Sequence, residues 1–169
     1  MKAACFVPSR RTLGQIAWVL LLAFFFANVE IQIEGDAGWA ANLPTWRIPR
    51  NAWLDLFWGS REMTGYHAWV FPTVALFFHW PVLFAGRWTW RIEARLLACL
   101  TLFWLAEDFL WFVLNPAFGL ARFDPTHAPW HIHWIAFAPT DYWTMSGVAL
   151  VLFVVSRPSA VAAVEERNR

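Results

Sequence analysis

Residues 96–114, LLACLTLFWLAEDFLWFVL, form an almost continuous apolar run in which Glu107 and Asp108 stand side by side. A helix over this run would be about 28 Å long, close to the ~30 Å hydrocarbon thickness of a bilayer. The run therefore predicts a membrane-spanning helix. Its two acids need a separate explanation, because a charged side chain at the bilayer centre costs about 2.5–3.5 kcal/mol.

The composition of the whole chain also indicates a membrane protein. Of the 169 residues, 59% are hydrophobic and 15% are charged, whereas soluble domains have about 25% charged residues. The 14 tryptophans favour membrane interfaces, where an indole ring finds both apolar and polar surroundings. The net charge of +1 provides no basic field for nucleic acid. We therefore expect the lipid bilayer to be the main partner, and we expect no nucleic-acid partner.

The apolar runs predict an all-α bundle of four transmembrane helices in a single membrane domain, 1–169. The predicted spans are 12–34, 66–86, 94–115 and 140–156. Lysine and arginine gather before the first span, between the second and third, and after the fourth, which predicts that the N- and C-termini are cytoplasmic. The outer loops are then 35–65 and 116–139, and 157–169 is a cytoplasmic tail. A short chain without eukaryotic sorting features favours the bacterial inner membrane.

Both predicted outer loops are rich in aromatic residues. In the first loop, Trp53, Leu54, Phe57 and Trp58 follow helical spacing, which predicts a short amphipathic helix in the membrane interface. The second loop contains FDPTHAPWHIHWIAFAP at 123–139. We expect both loops to pack over the outer end of the bundle.

Glu107 and Asp108 have a predictable direction and depth. On a helical projection, Asp108 shares a stripe with Trp104 and Trp111, and Glu107 lies beside it. The stripe predicts that both acids face the bundle and that the leucine and phenylalanine side faces lipid. Glu107 lies about 12 Å below the outer end of the helix, so both acids belong to the outer half of the membrane.

Other ionisable residues are predicted to reach the same end. Glu30 and Glu34 close the first span four residues apart, and the alternation EIQIEG at 30–35 fits either a helix end or a short strand. His67 opens the second span. The histidines of HAPWHIHW, residues 127–134, lie in the second outer loop. The sequence thus predicts a single pocket that faces away from the cytoplasm.

Imidazole and carboxylate groups are ligands of Zn, Fe, Mn and Cu. In an extended segment, His131 and His133 point the same way and can reach one ion. The predicted metal ligands are His127, His131, His133, Glu30, Glu34 and His67. Glu107 and Asp108 are predicted as catalytic acid and base.

Simpler interpretations of the same residues remain open. The histidines of the second loop can serve as hydrogen-bonding groups at the interface. The acids can form ion pairs with the arginines of the predicted outer loops, Arg47, Arg50, Arg61 and Arg122.

Three functions agree with this pattern. The first is a metal-dependent membrane enzyme that acts on a lipid, an isoprenoid or another amphiphilic substrate. The second is a non-catalytic subunit of a membrane complex, or a homo-oligomer, that binds pigment, quinone or haem. The third is a small proton-coupled transporter, because buried carboxylates carry protons in such proteins.

Overall fold

The computed structural model describes residues 9–57 and 61–157. Its helices are α1 (Arg10–Glu34), α2 (Ala52–Phe57), α3 (Gly65–Ala85), α4 (Trp90–Leu114) and α5 (Thr140–Val155). A 3₁₀ turn covers Leu120–Arg122. By length and composition α1, α3 and α4 can cross a membrane, while α5 is a shorter apolar helix. The chain is thus mostly helical with three candidate spans, and Trp58 and residues 158–169 lie outside the described residues.

The helices begin and end at residues that suit helix ends. Ser9, Thr64 and Thr89 each accept a hydrogen bond from the backbone N–H three residues further on, which replaces a missing helical partner. Gly35 and Gly86 follow α1 and α3 with φ of 70° and 62°, a region that glycine enters without steric cost. Of the two geometries predicted for EIQIEG, the helical one is present through Glu34.

Helix α4 lies at the centre of the bundle. It packs extensively against α1 and α5 and makes a smaller contact with α3. Ala23 and Ala27 of α1 are fully buried, and such small side chains let two helices approach closely. In α3, Leu76 and Phe77 are each 73% exposed, as expected for side chains that face lipid.

Helix α3 contains two prolines and is tied to α4 near its end. It contains Pro72 and Pro81, and each proline removes one backbone hydrogen bond from the helix. His79 holds its Nδ1 2.7 Å from the carbonyl oxygen of Ala75 and its Nε2 3.0 Å from Oε1 of Glu93 in α4. His79 therefore fastens this end of α3 to the bundle.

Two short antiparallel strand pairs stand directly before α3 and α5. We call both of them hairpins, although α2 lies between β1 and β2. Strand β1 (Arg47–Ile48) pairs antiparallel with β2 (Met63–Thr64), and β3 (Trp134–Ile135) pairs antiparallel with β4 (Ala138–Pro139). Both hairpins belong to the loops that join α1 to α3 and α4 to α5, so they lie at one end of the bundle. We call this end, residues 35–57, 61–64 and 115–139, the capped end.

Candidate functional site

A cavity of about 870 Å³ is lined by α1, α3, α4, α5 and both loops of the capped end. Its walls are of two kinds, because apolar side chains such as Phe71, Leu100 and Met145 share it with ionisable ones. The predicted site residues that line it are Glu30, Glu34, His67, Glu107, Asp108, His131 and His133. The structure thus brings together residues from distant parts of the chain.

His127 is the predicted site residue that does not line this cavity. Its side chain is exposed, and its Nδ1 lies 2.7 Å from Oδ2 of Asp124. This hydrogen bond, aided by the backbone N–H groups of Thr126 and His127, lowers the pKa of Asp124 below its usual value. His127 therefore organises the turn at Asp124 and Pro125.

Asp108 and His131 form the centre of a polar network. The Tyr142 hydroxyl donates a hydrogen bond to Oδ2 of Asp108, and Nε2 of His131 lies 3.2 Å from the same oxygen. On its other side, Nδ1 of His131 lies 3.4 Å from Oδ2 of Asp141. His131 is thus held between carboxylates of two helices, α4 and α5.

Arg61 joins the two loops of the capped end at this network. Its guanidinium pairs with Asp141, and its Nη2 lies 2.6 Å from Nδ1 of His131. Its Nε donates to the carbonyl oxygen of Trp130 at 2.9 Å. Among the arginines predicted as partners for the buried acids, Arg61 reaches the cavity, and it pairs with Asp141 instead of Glu107 or Asp108.

The other three arginines have partners elsewhere. Arg47 pairs with Glu62, and Arg50 lies 3.7 Å from Asp55. Arg122 donates to a backbone carbonyl oxygen of its own loop. The ion pairs expected for Glu107 and Asp108 therefore do not form with arginine in the described residues.

The pKa of His131 is raised above its usual value. Burial lowers the pKa of this imidazole, and Arg61 lowers it further, but the carboxylates of Asp108 and Asp141 together outweigh both. A proton on His131 is stabilised because it lies between two acids.

A second polar cluster joins α1 to α3. His67 places Nδ1 2.7 Å from Oγ1 of Thr64 and Nε2 3.9 Å from Oε1 of Glu34. Trp39 stacks on the His67 ring with centroids 4.0 Å apart, and the Ala40 N–H donates to Glu34. Trp39 and Ala40 both have positive φ, a strained conformation for residues other than glycine. This turn therefore holds Trp39 over His67 at some conformational cost.

The polar groups of Glu107 and Trp111 form no hydrogen bond within the described residues. Glu107 lines the cavity and is 6% exposed, yet no described residue hydrogen bonds or ion pairs with its carboxyl group. The charges that act on it from nearby are those of other acids, Glu30, Asp108 and Glu34. Trp111 also lines the cavity and is 4% exposed, and its Nε1 has no acceptor among the described residues.

The described residues do not form a ready metal centre. No group of three His, Cys, Asp or Glu side chains among residues 9–57 and 61–157 is placed to hold a metal ion. The ring nitrogens of His131 already face Asp108, Asp141 and Arg61. The donor set therefore does not fit a metal in this arrangement, and the metal site stays a prediction from the sequence.

Part of the site was not predictable from the sequence patterns. Asp141 and Tyr142 lie at the start of the predicted fourth span, 140–156, so they are not distinguished in sequence from ordinary residues of a helix end. Arg61 was predicted only as one of four equivalent cations. The available signal for Asp141 was its position, because an acid at the start of the fourth run lies at the same end as Glu107.

No protein-family model, curated protein or solved structure matches this chain.

Proposed function

We propose that this protein is a membrane enzyme that binds a lipid, an isoprenoid or another amphiphile in the cavity and acts on its polar group. The observation that carries the proposal is that the cavity is lined by both apolar and ionisable side chains. Apolar side chains of α3, α4 and α5 suit a hydrocarbon tail, and the cluster around Asp108 suits a polar group. The volume lies within the roughly 300–1,000 Å³ that small-molecule sites occupy.

Asp108 is the residue to which we assign proton transfer. Its hydrogen bond from Tyr142 and its contact with His131 both involve Oδ2, so we assign Oδ1 to the substrate. Oδ1 would take a proton from the substrate and return it to the product. His131 and Tyr142 would hold the carboxylate in place during this step, with Oδ1 within hydrogen-bond reach of the substrate.

The membrane arrangement that we propose has four spans with both termini in the cytoplasm of a bacterial inner membrane. Helix α5 has 16 residues and is about 24 Å long, which a locally thinned bilayer accommodates. Arg87, Arg91 and Arg95 lie between α3 and the apolar part of α4, and the positive-inside bias assigns them to the cytoplasm. The capped end would then face the periplasm.

The cavity is tested by a matched pair of substitutions in α3. Ala75 lines the cavity, and its neighbour Leu76 is 73% exposed and does not line it. The wild-type protein, Ala75→Trp and Leu76→Trp would be purified from the same membranes, and co-purifying lipids would be identified by mass spectrometry. We expect one amphiphile to be retained by the wild type and Leu76→Trp and lost from Ala75→Trp. Equal lipid contents in all three proteins would contradict the proposal.

The chemical step is tested with the lipids of the same membranes. Wild-type protein would be incubated with the lipid extract, and Asp108→Asn would be incubated in parallel. We expect a species that the wild type converts to accumulate unchanged with Asp108→Asn. An amphiphile that both proteins retain and neither converts would favour a non-catalytic subunit that binds pigment or quinone, which the aromatic lining by Trp39, Trp104 and Trp130 would also suit.

A further inference from the structure

We infer that the polar group of the ligand is uncharged and both donates and accepts a hydrogen bond, of which a hydroxyl is the simplest case. The inference rests on the proposed function, because it assumes that an amphiphile enters the cavity. It specifies the class of amphiphile as a long-chain alcohol or a compound with an equivalent group, and it excludes fatty acids and lipid phosphates.

Two unpartnered groups on one face of α4 provide the first argument. Glu107 and Trp111 are four residues apart, so they are neighbours along the helix surface with Cβ atoms about 6 Å apart. Both line the cavity, and both are more than nine-tenths buried. A buried donor or acceptor without a partner destabilises the fold by about 1–3 kcal/mol. A ligand that satisfies both groups would recover this free energy.

The chemistry of these two groups selects the ligand. The Trp111 indole only donates, so it requires an acceptor. The Glu107 carboxyl accepts a hydrogen bond when ionised and also donates when protonated. A hydroxyl can accept from Trp111 and donate to Glu107 at the same time. An ammonium group has no acceptor for Trp111. A carboxylate or phosphate has no donor for Glu107 and, when Glu107 is ionised, meets it as a like charge.

The charges around the cavity provide the second argument. Glu30, Glu34, Glu107, Asp108 and Asp141 all line it, and anionic ligands require a cation to offset such acids. In the described part of the lining the cations are Arg61 and protonated His131, and both already have acidic partners. Arg61 pairs with Asp141, and His131 lies between Asp108 and Asp141. An anionic head group would therefore be repelled without compensation.

The test compares probes that share one tail and differ in their polar group. Tetradecanol, tetradecylamine, tetradecanoic acid and tetradecane would be added at equal mole fraction to the purified protein in detergent. The rise in Tm with probe concentration gives an apparent Kd, because a ligand of the native state stabilises it. We expect tetradecanol to bind about tenfold more tightly than the other three probes. A tenfold lower Kd corresponds to the free energy of roughly one to two hydrogen bonds.

Matched variants connect this preference to the two residues. Trp111→Phe keeps the aromatic ring and removes the N–H, and Glu107→Leu removes the carboxyl group. We expect each to abolish the preference for tetradecanol. Trp80→Phe is the control, because Trp80 is 58% exposed on α3 and does not line the cavity.

The outcomes separate the inference from the proposed function. A preference for tetradecanol that is lost in Trp111→Phe and Glu107→Leu and kept in Trp80→Phe supports the inference. Equal binding of all four probes, or tightest binding of the acid or the amine, overturns it and leaves the amphiphile cavity in place. If no probe shifts Tm in the wild type, both the inference and the proposed function fail.

Discussion

His131 comes from the second loop of the capped end, but its environment comes from other segments. Asp108 belongs to α4, Asp141 to α5 and Arg61 to the first loop. The protonation state of one imidazole therefore depends on contacts that form only when these segments meet. This makes His131 a sensitive reporter of the folded site.

We expect the free energy of unfolding to fall as the pH rises above about 6.5, the usual pKa of histidine. The pKa of His131 is raised in the folded protein because the carboxylates of Asp108 and Asp141 outweigh burial and Arg61. The resulting stabilisation is fully present below the usual pKa and is lost as the pH rises through the folded-state pKa. Thermal unfolding in detergent from about pH 6 to about pH 9 would measure it.

Two variants complete the pH experiment. In His131→Gln the fall over this range should become shallower, because glutamine does not titrate. Asp36→Asn removes an exposed acid at the capped end that does not line the cavity, and the fall should persist. An unchanged pH profile in His131→Gln would show that His131 does not contribute this stabilisation.

Tyr142→Phe should lower the free energy of unfolding by about 0.5–1.5 kcal/mol, because the partly buried carboxylate of Asp108 loses one hydrogen bond. The hydroxyl of Tyr142 donates to Asp108. In a double-mutant cycle with Asp108→Ala, measured by unfolding in detergent, the two effects should not add, since both changes remove the same contact. Strict additivity would mean that the hydrogen bond is not formed in solution.

At the scale of elements, hydropathy predicted the long helices well. The predicted spans 12–34, 66–86, 94–115 and 140–156 agree within a few residues with α1, α3, α4 and α5. Agreement is expected, because the length of an apolar run is a local property of the sequence. Whether α5 crosses a membrane stays a prediction.

The hairpins and the partners in the site were harder to predict. A hairpin with strands of two residues has too little alternation for a sequence pattern to show. The helical stripe on α4 correctly predicted that Glu107 and Asp108 share the side that lines the cavity. The pairing of Arg61 with Asp141 joins residues 80 positions apart, and no spacing rule relates them.

Ala136→Gly should raise stability by up to about 1 kcal/mol. The hairpin of β3 and β4 has a two-residue loop, Ala136 and Phe137, and Ala136 alone of the two has a positive φ, 55°. This matches a type II′ turn, in which glycine is preferred at the first loop position. Glycine would remove the steric penalty of alanine, and its own entropic cost in the unfolded chain offsets part of the gain.

The measurement for this turn is the change in Tm in detergent. Ala121→Gly is the matched control, because Ala121 is also exposed and, unlike Ala136, has no positive φ. It should lower Tm slightly through unfolded-state entropy. A fall in Tm for Ala136→Gly as well would indicate that the turn adopts another conformation in solution.

At the scale of the whole molecule, the ionisable groups of the cavity lie towards one end. Glu34, His67 and Asp141 stand at helix ends that meet the capped end, and Arg61 and His131 belong to its loops. The proposed orientation places this end outside the cytoplasm. A one-sided arrangement of this kind suits a site entered from one leaflet better than a path across the membrane.

Cysteine labelling would test the orientation. In a chain without its native cysteines, His127→Cys lies on an exposed side chain of the capped end, and Trp90→Cys lies at the other end, where Trp90 is 77% exposed. A membrane-impermeant maleimide should label position 127 in intact spheroplasts and position 90 only after lysis. The reverse pattern would place the termini outside.

The prolines of α3 have a consequence for selectivity. Pro72 lines the cavity, and its helix packs on α4 over a smaller contact than α1 or α5 does. A wall that lacks a backbone hydrogen bond and has few packing contacts deforms more easily than its neighbours. Such a wall adjusts to hydrocarbon of varying length and unsaturation. The protein should therefore accept a homologous series of compounds and distinguish them by their polar groups.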